Sequence, residues 1–130
     1  MVRIEHLALW TRDLERLRDF YARYFGARAG AAYRNPARAF ESYFLEFDGG
    51  ARLELMRSGA LDLVDAPPGA QRHGLAHFAV SVGSVDRVDQ LTAELRAAGY
   101  PVLDGPRRTG DGYYESVVLD PDGNRIEITA

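Results

Sequence analysis

The sequence contains no cysteine and no lysine, and the absence of cysteine narrows the chemistry open to it. Without a thiol there is no disulfide, no thiolate metal site and no cysteine nucleophile, so any bound metal must be held by histidine and carboxylate side chains. The 16 basic residues are all arginine, and 19 acidic residues outnumber them, giving a net charge of −3. A chain without a basic excess is not expected to bind nucleic acid.

Long hydrophobic runs are absent as well. No apolar stretch approaches the roughly 20 residues that a membrane-spanning helix needs, and the N-terminal residues lack the apolar core of a signal peptide. The sequence therefore predicts a cytoplasmic protein without a membrane partner. Its 130 residues, of which 46% are hydrophobic and 27% charged, suffice for one soluble globular domain.

The first part of the chain, residues 1–57, has the apolar spacing of a βαβββ module. Thr11 or Asp13 is placed to cap the helix, and Gly26 is placed to end it. The predicted elements are a strand at 4–10, a helix with the apolar stripe Leu14, Leu17, Tyr21, Tyr24 and Phe25, a weak strand at 27–33, and strands at 40–47 and 51–56.

A second βαβββ module is predicted in residues 73–130, after a linker-like segment at 58–72 that contains two consecutive prolines. Ser84 is placed to cap its helix, and Gly99 is placed to end it. The two modules are expected to form a single domain. The predicted elements are a strand at 73–83, a helix with Val85, Val88, Leu91, Leu95 and Ala98 facing inward, a strand at 100–103, a loop at 104–112, and strands at 113–119 and 124–129.

Two tetrapeptides, Arg-Leu-Glu-Leu at 52–55 and Arg-Ile-Glu-Ile at 125–128, are near copies of each other. On a strand the aliphatic residues would enter the core, while Glu54 and Glu127 would point to the opposite face. Strand propensity and burial both disfavour a glutamate in mid-strand. Its occurrence at matched positions of both modules therefore predicts a function, and a metal site accounts for it best.

Two histidines fall into the same repeat. His77 follows His6 by 71 residues and Glu127 follows Glu54 by 73, a difference that one small insertion explains. Taken singly, each residue has a structural interpretation, as a hydrogen-bonded core histidine or as a glutamate that is exposed or paired with the arginine beside it. Taken together and in register, the four residues favour a metal site.

Motifs spread over nearly the whole chain carry a family resemblance, at residues 4–7, 19–21, 74–80 and 120–127. Through them the chain resembles the vicinal-oxygen-chelate superfamily, which includes glyoxalase I, the bleomycin- and fosfomycin-resistance proteins and the extradiol dioxygenases. It is most similar to the glyoxalase I-like branch. The resemblance implies an α+β fold in which two βαβββ modules form a curled mixed-sheet cup around a metal.

The glyoxalase I branch holds its metal with His, Glu, His and Glu in chain order, and the resemblance assigns these roles to His6, Glu54, His77 and Glu127. Two neutral imidazoles and two carboxylates suit a divalent ion such as Ni, Co, Zn, Mn or Fe. Two adjacent oxygens of a small substrate would take the remaining coordination positions, and Glu127 or Glu54 would transfer a proton. The sequence thus predicts a metal-dependent lyase or isomerase of glyoxalase type that acts on a small oxygen-rich molecule.

Two alternatives remain open. A drug- or metabolite-binding protein of the bleomycin-resistance type would offer an aromatic cup without a metal. An Fe(II) dioxygenase usually employs two histidines and one carboxylate, so the fourth ligand fits that chemistry less well.

Residues around the ligands are expected to choose the substrate. Trp10 shares a strand face with His6, and it either lines a substrate pocket or fills the cup. Arg108, Tyr113 and Tyr114 lie beside a glycine-rich loop that either closes over an anionic substrate or is an ordinary solvated loop. These four are the candidate pocket residues. Glutathione-using relatives typically carry an arginine where Trp10 stands and an asparagine where Ser58 aligns. Neither is present, so the sequence does not predict glutathione as the thiol.

The resemblance also implies a homodimer with shared sites. His6 and Glu54 would come from one chain, and His77 and Glu127 from the other. A site formed within a single chain is the alternative.

Overall fold

A computed structural model describes all 130 residues. The chain divides into two compact units, Met1–Asp65 and Ala66–Ala130. The boundary falls within the proline-containing segment at 58–72. Each unit consists of one β-sheet and one main helix.

In the first unit, strand β1 pairs in parallel with the last strand β5, and β5 pairs antiparallel with β4. The weak strand predicted at 27–33 is present as two short strands, β2 and β3, which pair with different parts of β4. A 3-10 turn at Pro36–Arg38 connects β3 to β4. The elements are β1 (His6–Trp10), α1 (Leu14–Phe25), β2 (Arg28–Ala29), β3 (Tyr33–Asn35), β4 (Phe40–Glu46) and β5 (Arg52–Ser58).

The second unit repeats this topology, with strand order β6-β9-β8-β7 and a parallel pairing of its first and last strands. The predicted α+β class and the two βαβββ modules are thereby confirmed. No helix in the structure combines the length and apolarity that crossing a membrane requires. The elements are β6 (Phe78–Ser81), α2 (Val85–Ala97), β7 (Val102–Arg108), β8 (Tyr114–Leu119) and β9 (Arg125–Thr129).

The largest differences from the predicted boundaries are at the start of β6 and at the end of β7. Strand β6 begins at Phe78, so His77 precedes the strand instead of lying within it. Strand β7 continues to Arg108, through Gly105 and Pro106, in a segment that was predicted as a glycine- and arginine-rich loop. Since β7 is an edge strand and its pairing with β8 shifts register twice, it accommodates both residues without losing the strand.

Helix α1 begins where the sequence predicts. The Asp13 side chain accepts a hydrogen bond from the Arg16 backbone N–H at 3.0 Å, and Gly26 ends the helix in the left-handed conformation. Of the predicted stripe, Tyr24 and Phe25 are only half-buried. The residues that α1 buries are Leu14, Leu17, Phe20 and Tyr21.

Helix α2 is capped by Ser84, whose hydroxyl accepts from the Arg87 backbone N–H at 3.1 Å. Val85 and Ala98 were predicted to face inward but are exposed, because one is the first residue of the helix and the other its C-cap. The central turns bury Val88, Leu91, Thr92 and Leu95.

Each helix covers one face of its own sheet and leaves the other face open. In the first unit, Leu53 and Leu55 are buried on the helix side, and Glu54 between them points to the open face. In the second unit, Ile126 and Ile128 are buried and Glu127 lies between them. Strand alternation therefore places each mid-strand glutamate on a surface that the helix does not cover.

Candidate metal centre

The first unit brings together one of the predicted histidine and glutamate pairs. His6 Nε2 lies 3.6 Å from Glu54 Oε2, with side-chain exposures of 39% and 15%. The parallel ladder between β1 and β5 pairs Ala8 with Glu54, so His6 lies two residues earlier on the same face. We call this pair the first half-site.

The second unit repeats the arrangement. His77 Nε2 lies 3.2 Å from Glu127 Oε1, with exposures of 41% and 21%. The β6–β9 ladder pairs Ala79 with Glu127, and the histidine again lies two residues earlier in the chain. We call this pair the second half-site.

The two half-sites are built by the same local geometry. In both, an alanine faces the glutamate across the ladder, and its methyl group leaves room for the histidine to reach the carboxylate. The structure contains no group of three or more His, Asp or Glu side chains that is arranged to hold a metal ion. The predicted ligands therefore occur as two matched pairs, each contributing one imidazole nitrogen and one carboxylate.

A carboxylate that was not predicted as a site residue completes the first half-site. Glu5 accepts a hydrogen bond from His6 Nδ1 and another from Arg52 Nε at 2.8 Å. The pKa of Glu5 is lowered, first by the hydrogen bond from His6 and then by that from Arg52, which keeps this carboxyl group ionised. The only sequence signal for Glu5 is that it directly precedes the histidine.

An aromatic ring closes the opposite side of the same pair. Phe44 on β4 faces Glu54 in the β4–β5 ladder, and its ring meets the His6 ring edge-on at 5.4 Å. The Arg52 guanidinium lies 4.2 Å from the centre of the Phe44 ring. His6 is therefore bounded by a carboxylate at Nδ1, a second carboxylate near Nε2 and an aromatic ring.

The second half-site also has an additional carboxyl group. Glu115 on β8 pairs with Thr129 and lies two residues from Val117, the partner of Glu127, so Glu115 and Glu127 share the open face. The pKa of Glu115 is raised, mainly by burial and next by the negative charge of Glu127. Thr129 Oγ1 is buried there without a hydrogen-bond partner. The strand alternation of β8 would have predicted Glu115, which the sequence analysis did not select.

Trp10 lies on the same face of β1 as His6, and 40% of its surface is exposed. Its ring meets Phe40 edge-on at 6.3 Å, and Phe40 in turn lies 6.1 Å from the exposed Tyr33. We call Trp10, Tyr33 and Phe40 the aromatic patch. It provides an apolar surface on the sheet face that carries the first half-site.

The other predicted pocket residues are placed differently. The Tyr114 hydroxyl donates to Asp89 on α2 at 2.6 Å, and the Arg108 guanidinium lies 5.7 Å from the centre of the Tyr114 ring. Both side chains thus lie on the helix side of the sheet, opposite Glu127. Tyr113 precedes β8 and is 56% exposed. Arg108 and Tyr114 therefore do not share the face of the second half-site.

Arg107 is a basic residue on the open face of the second unit. It pairs with Glu115 in the β7–β8 ladder. Its guanidinium is bound by Asp104, with an Nη2 to Oδ2 distance of 2.9 Å. This salt bridge partly neutralises the positive charge of Arg107.

The raised pKa of Glu115 is testable in the metal-free protein by carbon-13 NMR titration of its carboxyl. Because folding raises this pKa, the group stabilises the fold below the ordinary glutamate pKa and loses that contribution as the pH rises through the raised value. Glu127→Gln should lower the Glu115 midpoint part of the way, since the neighbouring charge is lost and the burial remains. Glu94→Gln, on the exposed side of α2, is the matched control. If the titration midpoint of Glu115 is unchanged in Glu127→Gln, the charge of Glu127 does not contribute to the raised pKa of Glu115.

The chain is similar to known proteins over nearly its whole length. Residues 3–128 match the Glyoxalase/Bleomycin resistance protein/Dioxygenase superfamily. A lactoylglutathione lyase of Haemophilus influenzae is 30% identical over 132 residues, which span 98% of this chain and 91% of that protein. Protein YqjT of Bacillus subtilis is 42% identical over 62 residues, spanning 45% of this chain and only 48% of its own length.

Solved structures show the same fold. The trypanothione-dependent glyoxalase I of Leishmania major superposes with a TM-score of 0.75 at 24% identity, covering 99% of this chain and 86% of that one. The resemblance predicted from the sequence motifs is confirmed, and the chain belongs to the glyoxalase/bleomycin resistance protein/dioxygenase superfamily.

Proposed function

We propose that this protein is a metal-dependent lyase or isomerase of glyoxalase type. In this proposal the two half-sites supply His6, Glu54, His77 and Glu127 to one divalent ion. The observation that carries it is the repeated pair, in which an imidazole nitrogen faces a carboxylate oxygen at 3.6 Å in one unit and at 3.2 Å in the other. Similarity over 98% of the chain to a lactoylglutathione lyase supports the reaction class.

The donor set fits a divalent ion. Two neutral imidazoles and two carboxylates balance its charge, and mixed nitrogen and oxygen donors suit Ni, Co, Zn, Mn or Fe. All four side chains are half-buried or exposed, so both an ion and a substrate can reach them. When bound, the metal would polarise two adjacent oxygens of a small substrate and so acidify the neighbouring C–H bond.

Proton transfer is assigned to a glutamate, and Glu127 is the better placed of the two. Glu115 lies beside Glu127, so a proton taken up by Glu127 has a second carboxyl group with which it can be shared. Glu54 faces Phe44 across the β4–β5 ladder, and its Oε2 lies 3.6 Å from His6 Nε2. Glu54 thus serves chiefly as a ligand in this proposal.

The substrate is expected to carry an apolar part. The aromatic patch lies on the face of the first half-site, where glutathione-using relatives place an arginine at the position of Trp10. Ser58 is engaged locally, since its hydroxyl accepts from the Ala60 backbone N–H at 3.2 Å. Both features favour a carrier or substrate other than glutathione, and the structurally similar Leishmania enzyme is described as trypanothione-dependent.

A second candidate function is capture of a drug or metabolite, as in the bleomycin-resistance members of the superfamily. The exposed aromatic patch favours it, because Trp10 and Tyr33 offer flat apolar surface to a ligand. Metal binding discriminates between the two functions, since a binder of this kind does not need the four ligands.

Metal binding is the first test. The metal-free protein should take up one divalent ion per pair of half-sites, and the loaded protein should turn over the adduct of methylglyoxal with at least one of several thiols. His77→Ala should weaken metal binding by more than about 100-fold, because even partners outside the ligand shell are worth about 10- to 100-fold. His73→Ala, an exposed histidine without a carboxylate partner, is the matched control.

The outcomes of this test separate the candidates. Absence of stoichiometric metal in the wild-type protein would contradict the proposal. If the wild-type protein binds no metal and turns over no adduct, the binding function is favoured instead.

Complementation tests whether sites are shared between two copies. His6→Ala damages the first half-site and His77→Ala damages the second, so neither variant alone should be active. If each site draws its half-sites from two chains, mixing the variants at random should restore about a quarter of the wild-type activity, because one site in each mixed dimer is intact. No recovery after mixing and confirmed subunit exchange would show that each site is formed within one chain.

Trp10 is expected to select the thiol. Trp10→Arg introduces a charged donor where glutathione-using relatives carry one, so kcat/KM for the glutathione adduct should rise by about tenfold relative to adducts of apolar thiols, the worth of one charge-assisted hydrogen bond. Trp10→Ala removes the ring without adding the donor and serves as the control. Identical selectivity in the wild type and both variants would show that Trp10 does not contact the substrate.

A further inference from the structure

The Glu5 side chain is hydrogen-bonded to both His6 and Arg52, and the repeat between the two units does not account for it. Its carboxylate accepts from His6 Nδ1 through one oxygen and from Arg52 Nε, at 2.8 Å, through the other. The Arg52 backbone N–H also donates to the Glu5 carbonyl at 2.9 Å. Glu5 thus binds both His6 and Arg52, which are partners across the β1–β5 ladder.

Arg52 is itself held in place. Its guanidinium lies 4.2 Å from the centre of the Phe44 ring, and that ring contacts His6 edge-on. Glu5, Arg52, Phe44 and His6 therefore form a ring of four residues in which each side chain contacts the next. A histidine held from two sides in this way loses little conformational freedom when a ligand binds.

The hydrogen bond to Glu5 determines which ring nitrogen of His6 carries the proton. An ionised carboxylate only accepts hydrogen bonds, so Nδ1 must be the donor in the bond to Glu5. In the neutral ring the lone pair is then on Nε2, the atom that faces Glu54 Oε2 at 3.6 Å. A lone pair and a carboxylate oxygen that face each other without a shared hydrogen are satisfied by a cation placed near both.

The second half-site has no equivalent of Glu5. The residue before His77 is Ala76, whose side chain cannot accept a hydrogen bond. The two histidines are therefore supported unequally, although their glutamate partners are placed alike.

From this contrast we propose that Glu5 is a positioning residue. It fixes His6 in the tautomer and orientation that present Nε2 to a divalent ion, and thereby makes the first half-site the preorganised one. The role in metal binding rests on the proposed function, whereas the control of the tautomer does not.

The test compares Glu5→Ala and Glu5→Gln with the wild type. Asp62→Ala, which removes the same charge from an exposed residue of the same unit, is the control. Because half of the Glu5 side chain is exposed and the bond to its carbonyl is a backbone bond, all variants should fold, which circular dichroism verifies.

Nitrogen-15 NMR of the metal-free protein, at a pH where His6 is neutral, reads the tautomer directly. The wild type and Glu5→Gln should carry the proton on Nδ1, since the glutamine oxygen also accepts, and Glu5→Ala should shift it toward Nε2. Zinc titration should show an affinity about 10- to 100-fold weaker in Glu5→Ala, a smaller loss in Glu5→Gln and none in Asp62→Ala.

These measurements distinguish failure of the proposed function from failure of the positioning role of Glu5. If the wild type binds no zinc, the proposed function is wrong, while the tautomer measurement still decides whether Glu5 controls His6. If the wild type binds zinc and Glu5→Ala binds it equally well, the positioning role is overturned whatever the tautomer. A wild-type His6 with its proton on Nε2 would also overturn it.

Discussion

The parallel pairing of the first and last strands of each unit is the constraint on which this structure depends. This pairing brings His6 next to the strand that carries Glu54, and His77 next to the strand that carries Glu127, although the two residues of each pair are far apart in the sequence. Parallel neighbours need a long connection, and here it includes a helix that covers one sheet face. The same connection therefore builds the core on one side and leaves the ligands uncovered on the other.

The two units have the same strand pairing, but different groups surround the histidine and glutamate pair in each. The first half-site is rigidly supported by Glu5 and Phe44 and lies on a sheet face with an apolar aromatic patch. The second half-site lies beside Glu115 and an unpaired Thr129 hydroxyl. In the proposed function, the first unit chiefly orients the metal and an apolar group of the substrate, and the second chiefly handles protons.

The element order and the polar side of each strand were predictable because both follow from local periodicity. A two-residue repeat shows that Leu53 and Leu55 oppose Glu54, whatever the rest of the chain does. The end of strand β7 was predicted as a loop because the segment is rich in glycine and arginine, and the edge position of β7 explains why Gly105 and Pro106 are tolerated in a strand. Arg108 and Tyr114 were linked to the site by closeness in sequence, whereas the α2 contact of Tyr114 places them on the other face.

By itself, the sequence determined the family, the repeated βαβββ order and the candidate ligands, since these depend on residue types at regular spacing. Only the tertiary structure decided which groups support those ligands. Glu5 hydrogen-bonds His6 directly and is also bound by Arg52, whose guanidinium lies against the Phe44 ring on another strand. Glu115 shares the open sheet face with Glu127 across the β8–β9 ladder. Such contacts depend on the register of strands that are distant in the chain, which no local pattern in one sequence specifies.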